Sequence, residues 1–315
     1  MPDASNPPVT NKRKICELKI PGGLENGVIP CKKIRKCPHP PELFQLHALM
    51  GFVGMRGSGK TVAMVNLTKR YLDMRCLNRV FIISPTYDSN PVFHVLKAKP
   101  EDIYRDSNHT QDAIQSILDK TAQDAKVFDE FETYLNAYKK YRDHKTLTSA
   151  EHTMLDNNNF KKPVYIPVPK PVLVIDDMSH SDIYSTAREN SFINLCLRHR
   201  HLNHGKGITI MLAVQTFLTG IPKALRQNLT QLFIWPTKDL TQLESIYREV
   251  ANLIEKDKFM ELYFKATRGK HSFLTIDNNY EHSLLQFRRN FDTVLREEAK
   301  IKKVKHKLNE VRRER

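Results

Sequence analysis

Three stretches of this 315-residue chain hold residue types whose spacing permits phosphate chemistry. The first runs Gly54-Met55-Arg56-Gly57-Ser58-Gly59-Lys60-Thr61, which fits the pattern G-x-x-x-x-G-K-[ST]. Glycines so placed let backbone N–H groups curl around a phosphate, and a helix starting behind them adds its partial positive charge. Lys60 is expected to bridge the β- and γ-phosphates of ATP, and the Thr61 hydroxyl to bind Mg²⁺. The second is the apolar run Val172 to Ile175 followed by Asp176 and Asp177. Asp176 is assigned to Mg²⁺ and Asp177 to polarising the attacking water; capping of a following helix is the alternative for this pair. The third is Gln215, a polar residue closing the apolar run that starts at Gly207. It is placed to sense the γ-phosphate, or else to satisfy the next loop.

Such residues work only if strands and helices bring them together. Phe44 to Val53 is mostly apolar and runs into the glycine loop as a buried strand would. "AMVNLTKRYLDM" has helical spacing, with Val62, Val65, Leu67 and Leu72 as core residues. "NRVFIISPT", "PVLVIDDMSH", "GITIMLAVQT" and "LTQLFIWP" read as further buried strands, with the helix "ENSFINLCLRHRHL" among them. Alternation of this kind builds a parallel sheet with helices on both faces. Residues 101–160 are polar with helical patches and read as an insertion. Beyond Thr237 the pattern predicts one amphipathic helix, "LESIYREVANLIEKDKFMELYF", and a last strand, "SFLTID".

Composition sets the outer bounds. With 40% apolar residues the chain can bury one substantial core, expected over residues 41–287 between a Pro/Gly-rich basic arm (1–40) and a basic tail (288–315). The net charge of +15 attracts polyanions whatever the fold. Eight lysines and arginines stand against two glutamates in residues 11–36, and eleven against five acidic residues in 288–315, so most of the excess sits at the ends. Solvated termini and nucleic-acid contact both account for such runs. The five scattered cysteines (Cys16, Cys31, Cys37, Cys76, Cys196) read as ordinary thiols of an intracellular, non-secreted protein. No apolar stretch has the length of a membrane span.

The order GMRGSGKT, VLVIDD, RHRHLNHGKGITIMLAVQ, IPKALRQN resembles the FtsK–HerA superfamily of DNA-pumping ATPases, and within it the poxvirus-type packaging ATPases of large DNA viruses, virophages and related elements. The resemblance spans Phe44 to Pro236 and implies a P-loop NTPase of the RecA-like, additional-strand type. It also implies ATP and Mg²⁺ as cofactors and a homo-oligomeric ring, commonly of six subunits. That ring would move double-stranded DNA into a preformed capsid, with portal or vertex proteins as partners at sites of virion assembly. Within such a ring an arginine from one subunit reaches the nucleotide of the next; Arg226 in "ALRQN" is the candidate, with Arg198 and Arg200 as alternatives. Two departures stand out: Asp177 occupies a position where many relatives carry Glu, and "HLNHGKG" is longer than the usual link. Competing functions are another DNA pump or helicase, a nucleotide-binding scaffold, and a small-molecule kinase. The kinase is disfavoured by Asp177, Gln215 and the lack of an arginine-rich lid.

Overall fold

In the computed structural model, residues 43–178, 181–185, 190–251, 254–279 and 287–295 are described. The arm 1–40 with Cys16, Cys31 and Cys37, and the segment 296–315, lie outside them. Four apolar runs form fully buried strands or nearly so: β1 (Leu49–Val53), β2 (Arg79–Ile83), β4 (Pro171–Asp176) and β5 (Thr209–Val214). β3 (Ile103–Tyr104) and β6 (Gln231–Ile234) flank them, and β7 (Leu274–Asp277), β8 (Phe287–Arg289) and β9 (Thr293–Val294) complete a nine-stranded sheet. Its order is β3-β2-β4-β5-β1-β6-β7-β8-β9. The strands from β3 to β6 are parallel, and β7 to β9 continue antiparallel.

The continuous apolar runs follow from covering both faces of the sheet, since each strand then alternates between two cores. Val172, Val174, Met211, Ala213, Met50 and Phe52 face one side, while Leu173, Ile175, Ile210, Leu212, Leu49 and Val53 face the other. The first side is covered by α1 (Lys60–Asp73), through Met64, Val65, Leu67 and Tyr71. Burying each of Met64, Val65 and Leu67 contributes about 1.5–3 kcal/mol. Val62, expected in the core, is 46% exposed because it falls with Asn66 and Arg70 on the solvent face of α1, while Ala63 and Met64 beside it turn inward. The second side is covered by α2 (Thr110–Arg142), α4 (Ser191–Arg198), α7 (Leu240–Ile246) and α8 (Lys256–Ala266), with α3 (Ser149–Asn157) packed on α2. Two single turns, α5 (Leu202–Gly205) and α6 (Lys223–Arg226), flank β5.

Three expectations need correction. The insertion begins after β3, because Ile103 and Tyr104 pair with Ile82 and Ile83 and so belong to the sheet. The single helix expected after Thr237 is divided: α7 runs into a π turn at Tyr247–Ala251, and α8 starts afresh at Lys256. The sequence counts Arg288 and Arg289 with a basic tail, but both pair with β7 in β8. Arg288 is buried, stacks 4.5 Å from the Phe44 ring centroid and lies 3.7 Å from Asp277. Its charge therefore serves the fold.

Candidate nucleotide site

β1 feeds straight into the glycine loop, and the loop begins tied to its neighbour: the Gly54 N–H donates to the Val214 carbonyl at 3.2 Å. Gly54 has no room for a side chain, since a Cβ there would stand 2.6 Å from Cβ of Trp235. Gly59 has φ +100°, a left-handed conformation that glycine adopts without steric cost, and it turns the chain into α1. The leading N–H groups of α1 have no acceptor within the helix and face the loop. No acidic residue stands in that first turn to neutralise them.

Lys60 and Thr61 open the helix. The Lys60 ammonium donates to the Met55 carbonyl at 3.0 Å, folding over the loop. Burial pushes its pKa down, against the opposing pull of Asp176 and Asp177. The Thr61 hydroxyl donates to Asp176 at 2.7 Å, which joins the glycine loop to the end of β4. Burial raises the Asp176 carboxyl above its ordinary value, while the Thr61 hydroxyl and the Lys60 charge hold it down.

Asp177 is exposed and has φ +56°. Aspartate enters this region more readily than most residues, and such outliers gather at functional sites. β4 ends at Asp176, and among the described residues the next helical turns are capped by Ser181 and Asn190 rather than by this pair. Gln215 leaves β5 between β4 and β1. A cleft of about 380 Å³ brings together Arg56, Gly57, Lys60, Thr61, Asp176, Asp177 and Gln215.

The cleft has a wall absent from the sequence expectations: Thr86, Ser89 and Asn90, in the turn after β2. The polar run "SPTYDSN" directly after a buried strand is the signal that could have found them. Ser84 and Thr86 hydroxyls bond at 3.1 Å, and Asn90 caps a short 3₁₀ turn at Pro91–Leu96.

The arginines divide differently from the expectation. Arg226 is buried and committed within its own chain. Its guanidinium bonds both carboxylate oxygens of Glu249 at 2.8 and 3.1 Å, and the carbonyls of Leu218 and Ile221 at 2.8 and 2.7 Å. It bolts α6 to the π turn, so it is not displayed to a neighbouring molecule. Arg198 and Arg200, at the end of α4, are exposed.

The donor set suits the expected ligands. Thr61 and Asp176 offer the hard oxygens that Mg²⁺ takes, and the Ser58 hydroxyl, buried within the loop, has no partner among the described residues. An extra strand, β5, separates the glycine-loop strand β1 from the acidic strand β4. The fold is that of a P-loop NTPase.

No protein-family model and no curated protein matches the chain. Among solved structures it is similar to the genome packaging NTPase B204 from Sulfolobus turreted icosahedral virus 2 in complex with AMP, at 12% identity over 79% of this chain and 98% of that one, TM-score 0.47. It is also similar to the pCW3 conjugation coupling protein TcpA, at 12% identity over 84% of this chain and 65% of that one, TM-score 0.40. A third is EssC (ATPases 2 and 3) from Geobacillus thermodenitrificans, at 12% identity over 84% of this chain and 44% of that one, TM-score 0.41. Among the described residues, no helix is long and apolar enough to cross a membrane.

Proposed function

We propose that this chain is an ATP-driven translocase of double-stranded DNA that packages a viral genome into a preformed capsid, working as a ring of identical subunits. The observation that carries it is the convergence of Lys60, Thr61, Asp176, Asp177 and Gln215 on one cleft from the ends of β1, β4 and β5. Lys60 holds the β- and γ-phosphates. Asp177 accepts the proton of the attacking water, and Gln215 orients that water or the γ-phosphate. Thr61 and Asp176 would hold Mg²⁺, which supplies neutralisation of the charge that develops on the phosphate oxygens. Arg198 and Arg200, being exposed, are the residues offered to the next subunit's site. The DNA half of the reading is supported by the net charge of +15 and by the motif order from Phe44 to Pro236. The basic ends, residues 1–40 and those beyond 295, supply salt-sensitive phosphate contacts indifferent to sequence. The setting is the infected cell, at sites of virion assembly.

The test is hydrolysis by full-length protein with Mg²⁺, with and without duplex DNA, together with displacement of a triplex-forming strand. DNA-stimulated hydrolysis and strand displacement are expected, both lost in Lys60→Ala. Hydrolysis that is indifferent to DNA overturns the translocase, and unwinding of the duplex itself makes the protein a helicase.

A further inference from the structure

We propose that His271 is a positioning residue for the glycine loop: from outside the cleft it holds the Ser58–Gly59 peptide so that the Gly59 N–H faces the β-phosphate. This rests on the nucleotide reading above and adds a residue to it. His271 lies in the turn between α8 and β7, more than two hundred residues from the loop in sequence, with Nδ1 at 3.1 Å from the Ser58 carbonyl oxygen. A carbonyl only accepts, so Nδ1 carries the proton.

The consequence follows from peptide geometry. In a planar trans peptide the C=O and the following N–H point in opposite directions. His271 is not among the walls of the cleft, so a Ser58 carbonyl drawn toward it turns the Gly59 N–H the other way, to the phosphate side. The imidazole also lies against Gly59, where a Cβ would meet it at 3.4–3.6 Å.

His271 is itself held. Its carbonyl accepts from the Trp235 indole at 3.2 Å, and the Ser272 N–H closes the turn on Gly269 at 3.0 Å. Its φ is +61°, which a residue with a Cβ keeps only where its surroundings impose it. Trp235 in turn donates its backbone N–H to Val53 at 2.9 Å and packs over Gly54. The two ends of the glycine loop are thus gripped from behind by Trp235 at Gly54 and His271 at Ser58–Gly59. The Trp235–His271 bond links the two grips.

Calorimetric titration of the full-length protein with ADP, ATPγS and AMP tests this in wild type, His271→Ala and His271→Asn. Gly59 is aimed at the β-phosphate, which AMP lacks. His271→Ala should therefore weaken ADP and ATPγS by the same factor, about three- to tenfold for one hydrogen bond, and leave AMP unchanged. Asparagine tolerates the left-handed backbone and can donate from its amide, so His271→Asn should stay within about twofold of wild type. AMP weakened along with ADP would mean that His271 touches the nucleoside, and that overturns the proposal. Unchanged ADP affinity in His271→Ala, or equal losses in both variants, overturns it too. A wild-type protein that binds none of the three nucleotides overturns the nucleotide reading itself.

Discussion

The Thr61 hydroxyl and the Asp176 carboxylate meet at 2.7 Å although 115 residues separate them in sequence. The sheet makes this possible by placing β1 and β4 on either side of β5, so that the glycine loop and the acidic strand end open at the same edge. Both groups are oxygen donors suited to one metal ion. Removing either should therefore act through the ion and leave the fold in place.

Thr61→Ala is expected to lower Mg²⁺-supported hydrolysis by on the order of 10² or more, the size of losing one preorganised electrostatic contact. Thr61→Ser keeps the hydroxyl and should retain most activity. Steady-state rates measured across a Mg²⁺ titration check this. Equal losses in both variants would show that the threonine methyl, rather than the oxygen, matters.

Asp177 separates binding from chemistry. Asp177→Asn keeps a side chain that tolerates φ +56° but cannot take a proton, so ATP should bind normally while turnover falls about 10²- to 10⁴-fold. Asp177→Gly should lose turnover similarly while changing stability by less than about 1 kcal/mol, because relief of the left-handed backbone and the larger entropy of the unfolded glycine chain oppose each other. Nucleotide titration beside chemical denaturation reads both quantities. A loss of ATP binding in Asp177→Asn assigns the residue to the metal instead.

Much of this site is legible in the sequence because its residues are tied to local patterns. Glycine spacing marks the loop and so fixes Lys60 and Thr61 at the start of α1, and uninterrupted apolar runs mark strands buried on both faces, which fixes Asp176, Asp177 and Gln215 at strand ends. What local pattern cannot carry is pairing at a distance. β3 and β9 have two residues each, too few for any periodicity, and exist only because β2 and β8 offer them partners. His271 reads as one more basic residue in "TRGKH", and nothing nearby in sequence points to Ser58. Arg226 misleads for the same reason: "ALRQN" matches a family context, while its partner Glu249 lies 23 residues away in a π turn.

Arg226→Ala should destabilise the protein by about 3 kcal/mol, because it strands a partly buried carboxylate and two carbonyls. Arg226→Lys should rescue only part, since one ammonium cannot reproduce the two-pronged contact. Denaturant midpoints measure the loss. Mixing Arg226→Ala with Lys60→Ala should restore no hydrolysis, because the defect lies inside the subunit. Rescue in co-assembled mixtures would return Arg226 to the interface. The same mixing applied to Arg198→Ala and Arg200→Ala is where restoration is expected.

The pH dependence of stability should be governed in part by two histidines far from the nucleotide. His47 and His199 are both buried at the edge where β1 and β5 begin, and both are pushed down to about 4. Burial is the largest cause for each, with His199 and Lys170 adding for His47, and Arg200 and His201 for His199. The ring of His47 also lies where a Cβ on Gly207 would stand, 2.4 Å from the nearest ring carbon, so the space admits no extra atoms. In the unfolded chain both return to about 6.5. Between about 6.5 and about 4 the unfolded state therefore binds protons that the folded state refuses. The stabilisation is complete above the upper value and is lost as the pH falls toward the lower one, by at most about 3 kcal/mol per histidine. Asp176 works in the opposite direction, since burial raises its carboxyl, so the variants must isolate the histidines. His199 Nδ1 donates to the Cys196 carbonyl at 2.7 Å, and an asparagine amide can take over that bond without titrating. Urea midpoints for wild type and His199→Asn at pH 7.5, 6 and 5 are expected to diverge, with the variant losing about half as much stability on acidification. Parallel losses in the two proteins would show that His199 does not take up a proton on unfolding in this range.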